Sequence, residues 1–398
     1  MLPLVSPSAS AIFLLRLAVD TSARRSGMCI SMRGSSIGTF IPGSTTGSSR
    51  NVSEMSDVQI SIQLDGSQEI YHSGEKVQGV VVVDVNKFLR VGVLKAEFEG
   101  LYYYKNKSGG SHKQVIKTDE VKLNIDGKIS DIIPGRYLSP FIFTLDLSFP
   151  SSLVSLAGSV EYKIIAKCGY KLTNDSPIVK IETDRFISVN RYLDLKDRPV
   201  EMGGAELKHV HQTGWCSSCC GGDLAVSMVA KKRAFVAGER IEVSAVINNG
   251  TSQIISKTEL DVIQKVKTKI NRKVKQKVVG KERGIVMDYT EQVWINEYLL
   301  VPSVPPTSDD HNMAVSYQLR MLLTMNDGKR IKLVMPIVIG NVPVDTTIIE
   351  GAESELSFMY TGEINGREVC ESKCIPSYIV YRFSPTLPTA PALEEQSS

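Results

Sequence analysis

From Asp57 to about residue 190, apolar and polar side chains alternate with a period of two in short runs. The runs are DVQISIQL, KVQGVVVVDV, VGVLKAEFEG, VIKTDEVKLNI, YLSPFIFTLDL, VEYKIIAKCGY and IVKIETDRFISV, each bounded by turn-forming residues. Period two puts every second side chain on the same side of an extended chain, so each run predicts a strand with one dry face. NKSGGSHK at 106–113 reads as an exposed hairpin tip, and SSLVSLAG at 151–158 suits a short helix. A second set follows after residue 222: LAVSMVAKK, ERIEVSAVIN, IISKTELDVIQKVKTKI, KVKQKVVGKERG, YTEQVWINEYLLV, MAVSYQLRMLLTM and RIKLVMPIVIG. Each half has the strand number and spacing of an immunoglobulin-like β-sandwich, so the fold class is all-β with two tandem sandwiches.

The two sets repeat one another. YHSGEKVQGVVVV at 71–83 and FVAGERIEVSAVI at 235–247 share an aromatic residue, a Gly-Glu pair, a base and a period-two apolar run. SVEYKIIAK at 159–167 and AVSYQLRML at 314–322 form a second matched pair, each entered from a Pro/Ser segment. A repeat of this length is a whole domain, not one turn of a solenoid. Gly74 and Gly238 stand where a turn calls for positive φ. Val77, Gly79, Val81 and Val83 face inward in the first copy, Ile241, Val243, Ala245 and Ile247 in the second, with Tyr71 and Phe235 anchoring each turn on the core.

At 42% apolar and 22% charged, the 398 residues have the make-up of a globular chain long enough for two or three domains. The apolar stretches fall short of the roughly 20 residues a bilayer-spanning helix requires. The net charge of +3 is concentrated at the start, because residues 1–53 hold five arginines against one acid and leave the rest at −1. A nucleic-acid binder would carry its basicity in the folded body. The organisation expected is a disordered leader or alternative start at 1–54, a first sandwich at 55–195, a connector at 196–220, a second sandwich at 221–345 and a flexible tail at 346–398. Seven cysteines, sparse and odd in number, fit a reducing compartment, and the sequons at Asn51, Asn106, Asn174 and Asn249 would matter only after secretion.

Several strings together resemble the arrestin superfamily and, within it, the α-arrestins or arrestin domain-containing proteins. In the first half they are IYHSGEKVQGVVVV, IIPGRYLSPFIFTLDLSFPSSL and SVEYKIIAK. In the second they are Cys219-Cys220, AFVAGERIEVSAVINN, WINEYLLVPSVPP, VSYQLRMLL and MPIVIGNVP. The resemblance covers about 57 to 344. It implies the arrestin N- and C-domain fold and a non-catalytic cytoplasmic adaptor at the plasma membrane or endosomes. Such an adaptor binds the cytoplasmic tails of receptors or transporters and links them to ubiquitin ligases and endosomal sorting. A retromer-type sorting subunit of the same fold is the alternative, a secreted β-sandwich binder a more distant one. The tail departs from the family pattern: IPSY at 375–378, with Pro376 and Tyr378, does not complete the Pro-Pro-x-Tyr motif read by WW-domain ligases. MSDVQISIQL also lacks the paired lysines of phosphate-sensing arrestins.

Three features remain as candidate chemistry. In KVKTKINRKVKQK, Lys265, Lys267, Lys269, Lys273, Lys275 and Lys277 fall at odd positions and Arg272 adds a seventh charge. On an extended strand the six lysines share one face while Val266, Ile270 and Val274 face the core. That face is either a solvated outer surface or a site for an anionic membrane, a phosphoinositide headgroup or an acidic or phosphorylated tail. HVHQTGWCSSCC offers His209, His211, Cys216, Cys219 and Cys220 at spacings open to zinc, although adjacent strand cysteines point to opposite faces; an unmodified strand entry and reversible acylation are the other readings. No GxSxG, HExxH, P-loop or GxGxxG string is present, so neither an enzyme nor a cofactor is expected.

Overall fold

The computed structural model describes residues 57–66, 70–108, 110–123, 130–212, 222–346, 349–358 and 374–384. Ten strands precede residue 191: β1 (Val58–Leu64), β2 (Ile70–His72), β3 (Lys76–Val85), β4 (Leu89–Lys105), β5 (Ser111–Lys122), β6 (Ser130–Ile132), β7 (Gly135–Thr144), β8 (Leu153–Ser155), β9 (Gly158–Lys171) and β10 (Val179–Asn190). Nine follow in the second half: β11 (Ala205–Gln212), β12 (Asp223–Ala230), β13 (Ala234–Val236), β14 (Arg240–Asn249), β15 (Ile255–Thr268), β16 (Lys273–Arg283), β17 (Thr290–Leu300), β18 (Met313–Met325) and β19 (Arg330–Gly340). A last pair, β20 (Ile349–Leu356) and β21 (Ser377–Phe383), lies in the tail.

The duplication read from the sequence is a duplication of topology. One sheet of the first sandwich runs β2-β10-β9-β4-β5, and the matching sheet of the second runs β13-β19-β18-β15-β16, equivalent strand by strand. The facing sheets are β1-β3-β7 and β11-β12-β14-β17. In both copies the short strand before the Gly-Glu turn pairs parallel to its neighbour while the long ladders are antiparallel.

The repeated signature has one physical explanation in both places. Gly74 has φ of +93° and Gly238 of +88°, so a side chain at either would be strained. The following glutamate folds back on the turn: Glu75 accepts from the His72 backbone N–H at 2.7 Å and Glu239 from that of Val236 at 3.1 Å. Their carbonyls take the N–H groups of Leu145 and Val301, each at 2.9 Å, which ties the turn to the next ladder. Val77, Val81, Val83, Ile241, Val243, Ala245 and Ile247 are buried as the alternation requires, and Tyr71 and Phe235 are buried beneath the turns. The second landmark is equally regular. Tyr162 donates its hydroxyl to the Pro150 carbonyl at 2.8 Å and Tyr317 to that of Pro305 at 2.6 Å, in each case twelve residues back in the chain. Each tyrosine pins the Pro/Ser entry segment to the core strand.

Three expectations give way. Residues 153–155 form β8 instead of a helix, because Leu153, Val154 and Ser155 are all buried and pair with the start of β9. Residues 205–212, read as connector, form β11, whose full length pairs with β12. Within the stretch read as a flexible tail, β20 and β21 form an antiparallel hairpin.

That hairpin straps the seam between the sandwiches. On the first domain, Ser377 N–H donates to Ser188 Oγ at 2.9 Å and the Tyr378 hydroxyl to the Ser152 carbonyl at 2.9 Å. On the second, Tyr381 N–H donates to the Ala237 carbonyl at 3.0 Å and its hydroxyl to that of Asn341 at 2.8 Å. Asn341 also grips the inter-domain crossing, donating to the Arg191 carbonyl at 2.9 Å and accepting from Leu193 N–H at 2.7 Å.

Candidate functional site at a basic hairpin beside the domain seam

The lysine-rich run is a hairpin, not one continuous strand. Residues 265–268 close β15, 269–272 form the turn, and 273–277 open β16. Asn271 adopts φ of +58°, the left-handed conformation that asparagine tolerates better than most residues. The Thr268 N–H donates to the Arg272 carbonyl at 2.9 Å and closes the turn. Ile270, expected in the core, sits in this turn and is exposed. Val266 and Val274 do pair across the hairpin and face the core side.

The register decides what the lysines do. Lys265 lies opposite Lys275 and Lys267 opposite Lys273, so four ammonium groups occupy one face as two like-charge cross-strand pairs. Among the described residues none of the four has a carboxylate within ion-pair distance. Burial holds the Lys265 ammonium below its ordinary pKa, and the Lys275 charge opposite lowers it further.

The other three bases are otherwise engaged. Lys277 stands 3.5 Å from Asp261 and 3.9 Å from Glu259, in an ion network that also includes Arg320 against Asp261. Lys269 hydrogen-bonds Gln114 of the first domain and stands 5.3 Å over the Tyr104 ring. Arg272 donates to the Lys105 carbonyl at 2.8 Å. The hairpin tip therefore docks on the β4–β5 region, its own equivalent in the first sandwich. The seam is closed nearby by Tyr102, whose hydroxyl donates to Asp310 Oδ2 at 2.8 Å. Asp310 Oδ1 is held by the N–H groups of Asn312 and Met313 at 2.7 and 3.0 Å. Burial first, and the Asp310 carboxylate second, raise the Tyr102 phenol well above its usual pKa, so it remains a donor. This docking was not visible in the sequence, because nothing in a lysine run marks which members meet another domain.

The remaining candidates are placed as follows. His209 and His211 lie on one side of β11 with ring centroids 6.4 Å apart. The Lys329 ammonium, which has only donors to offer, faces His211 Nε2 at 2.7 Å, a position that a metal cation cannot share with it. Cys216, Cys219 and Cys220 lie outside the described residues. Pro376 and Tyr378 of IPSY are buried in the strap, which withdraws them from use as an exposed linear motif in this conformation. Asn249 is fully buried with its amide donating to the carbonyls of Gln253 and Met287, so that sequon is closed to a glycan in the folded chain. No helix among the described residues is long and apolar enough to cross a membrane.

Comparison with known proteins agrees with this geometry. Residues 60–195 match the family model for the N-terminal domain of arrestin (or S-antigen), and residues 220–344 match that for its C-terminal domain. Arrestin domain-containing protein 4 of Mus musculus is 22% identical over 298 residues, covering 70% of this chain and 70% of its own length. Arrestin domain-containing protein 17 of Caenorhabditis elegans is 23% identical over 311 residues, 71% of this chain and 70% of its own length. With both domain models matched in order and the sandwich laid down twice, the chain belongs to the arrestin superfamily, in the α-arrestin or arrestin domain-containing family.

Proposed function

We propose that this protein is a non-catalytic cytoplasmic adaptor that binds the tails of membrane cargo at the plasma membrane or endosomes and couples that cargo to ubiquitination, endocytosis or endosomal transport. The observation that carries the reading is the unpaired quartet Lys265, Lys267, Lys273 and Lys275 on one face of the β15–β16 hairpin, next to the seam. Like charges placed opposite each other weaken a sheet. Their mutual repulsion is relieved when an anionic group sits over them, which makes an acidic tail, or the anionic leaflet from which it emerges, the fitting partner. The family supports the adaptor role.

Proximity labelling of the full chain in cells tests this. Transmembrane proteins and ubiquitination or sorting factors are expected among the labelled partners, and changing the four lysines to glutamate should deplete the transmembrane set. A set without membrane proteins, or one indifferent to the substitutions, would overturn the reading. A retromer-type subunit would instead co-purify with sorting subunits in fixed stoichiometry.

A further inference from the structure

The larger sheet of the first sandwich carries a trough on its outer face, at the end of β10 remote from Asn190 and the seam. Its volume is about 600 Å³, within the range of built ligand sites. Gly169 on β9 forms the floor between its register partners Val93 on β4 and Lys180 on β10, with Ile178 beside it. The pairing of β4 with β9 is shifted between Val91 and Val93, a bulge that re-aims the side chains at this spot.

Gly169 is not a glycine that the fold demands. Its φ is not in the left-handed region, and a Cβ there would stand 3.6 Å from Ile178 Cγ2 and 3.8 Å from Val93 Cβ, both ordinary contacts. What the missing side chain does is leave the trough open. The walls are equally out of keeping with a solvated face: Val93 is 49% and Ile178 59% exposed beside Lys95, Lys167, Lys171 and Lys180. The rim is cationic, with Lys95, Lys167, Lys171 and Lys180 against Glu182. Lys95 and Lys167 already hold Glu97, at 2.6 and 2.5 Å. Lys171 reaches only the Asn174 carbonyl, at 3.4 Å, and Lys180 has no ion-pair partner among the described residues.

We propose that this trough binds a linear acidic peptide carrying one bulky apolar residue, which fills the space over Gly169 while its carboxylates meet Lys171 and Lys180. The occupant lies across the outer face over Gly169, where β9 is already paired on both sides. A trough with apolar walls and two cations at its rim fits an apolar side chain flanked by carboxylates. The inference rests on the adaptor reading in that such a segment would belong to a partner's tail, but it places the contact far from the lysine hairpin.

Fluorescence polarisation with the full chain and a labelled synthetic peptide, Glu-Asp-Glu-Trp-Leu-Glu-Asp-Glu, tests it. Gly169→Leu, whose Cβ meets only ordinary contacts, fills the floor and should weaken binding about tenfold, as should replacing Trp-Leu in the probe by Ser-Ser; Lys180→Glu should cost roughly threefold or more. The measurements are made in the Lys267→Glu, Lys273→Glu background, which removes the competing acidic-tail site on the hairpin. The proposal falls if, in that background, Gly169→Leu and Lys180→Glu both bind within about twofold of it, or if the Ser-Ser probe binds as well as the original. Loss at the trough alone supports it even where proximity labelling finds no membrane cargo, so the two readings fail separately.

Discussion

Tyr162 and Tyr317 occupy equivalent places in two sandwiches and make the same bond, hydroxyl to a proline carbonyl twelve residues back. Both side chains are buried, so removing the hydroxyl leaves a carbonyl without its partner in a dry site. Tyr162→Phe and Tyr317→Phe should each destabilise by about 1–3 kcal/mol in urea unfolding. The larger loss is expected at Tyr317, which also accepts from Gln264 Nε2 at 2.9 Å. His211 gives a residue-scale prediction of another kind. Burial first, then the Lys329 and His209 charges, hold its pKa below the ordinary 6.5. Below pH 6.5 the unfolded chain takes up this proton more readily than the folded one, so stability present above that pH is lost as the solution is acidified. An NMR titration should find His211 below 6.5, and Lys329→Met should move it upward without restoring the full value, since burial remains.

At the scale of elements, a single substitution in the β15–β16 hairpin tells a solvated face from a binding face. If its like-charge pairs serve a partner, Lys273→Glu should set an attractive pair opposite Lys267 and raise stability by about 0.2–1 kcal/mol while weakening anion binding. A merely solvated face would gain the stability and lose nothing. The sequence displayed the strands well wherever one face was dry, as in β3 and β14, and it displayed the glycine turns because positive φ leaves few choices of residue. In KVKTKINRKVKQK the break between the runs ending at Ile270 and starting at Lys273 was legible, but whether the lysines share a face across a tight turn or along one extended strand was not. The four-residue turn preserves parity, so the odd-numbered lysines share a face either way, and the turn's only marker is Asn271. β8 was missed because a strand buried on both faces shows no alternation. The strap was missed because its partners, Ser152, Ser188, Ala237 and Asn341, lie far away in the chain and its neighbours are rich in Pro, Ser and Glu.

Among the described residues, the two equivalent sandwiches are held together by Tyr102 on Asp310, the basic hairpin tip on β4–β5, Asn341 on the inter-domain crossing and the β20–β21 strap across both. Tyr378 is the strap residue most deeply committed to the first domain, and Tyr381 is bonded to the second. Tyr378→Ala combined with Tyr381→Ala should raise the radius of gyration in small-angle scattering and split a single calorimetric transition into two, because the domains then unfold without their shared contacts. In the intact molecule the seam keeps the lysine quartet presented beside it. The most direct test of that arrangement is co-sedimentation of the full chain with phosphatidylserine vesicles and, in a parallel arm, with neutral vesicles displaying an anchored acidic peptide. With about 1 kcal/mol per base at an anionic surface, changing Lys265, Lys267, Lys273 and Lys275 to glutamate should weaken association at least about a hundredfold in one arm or both. Retention within about twofold of the parent in both arms would contradict the account.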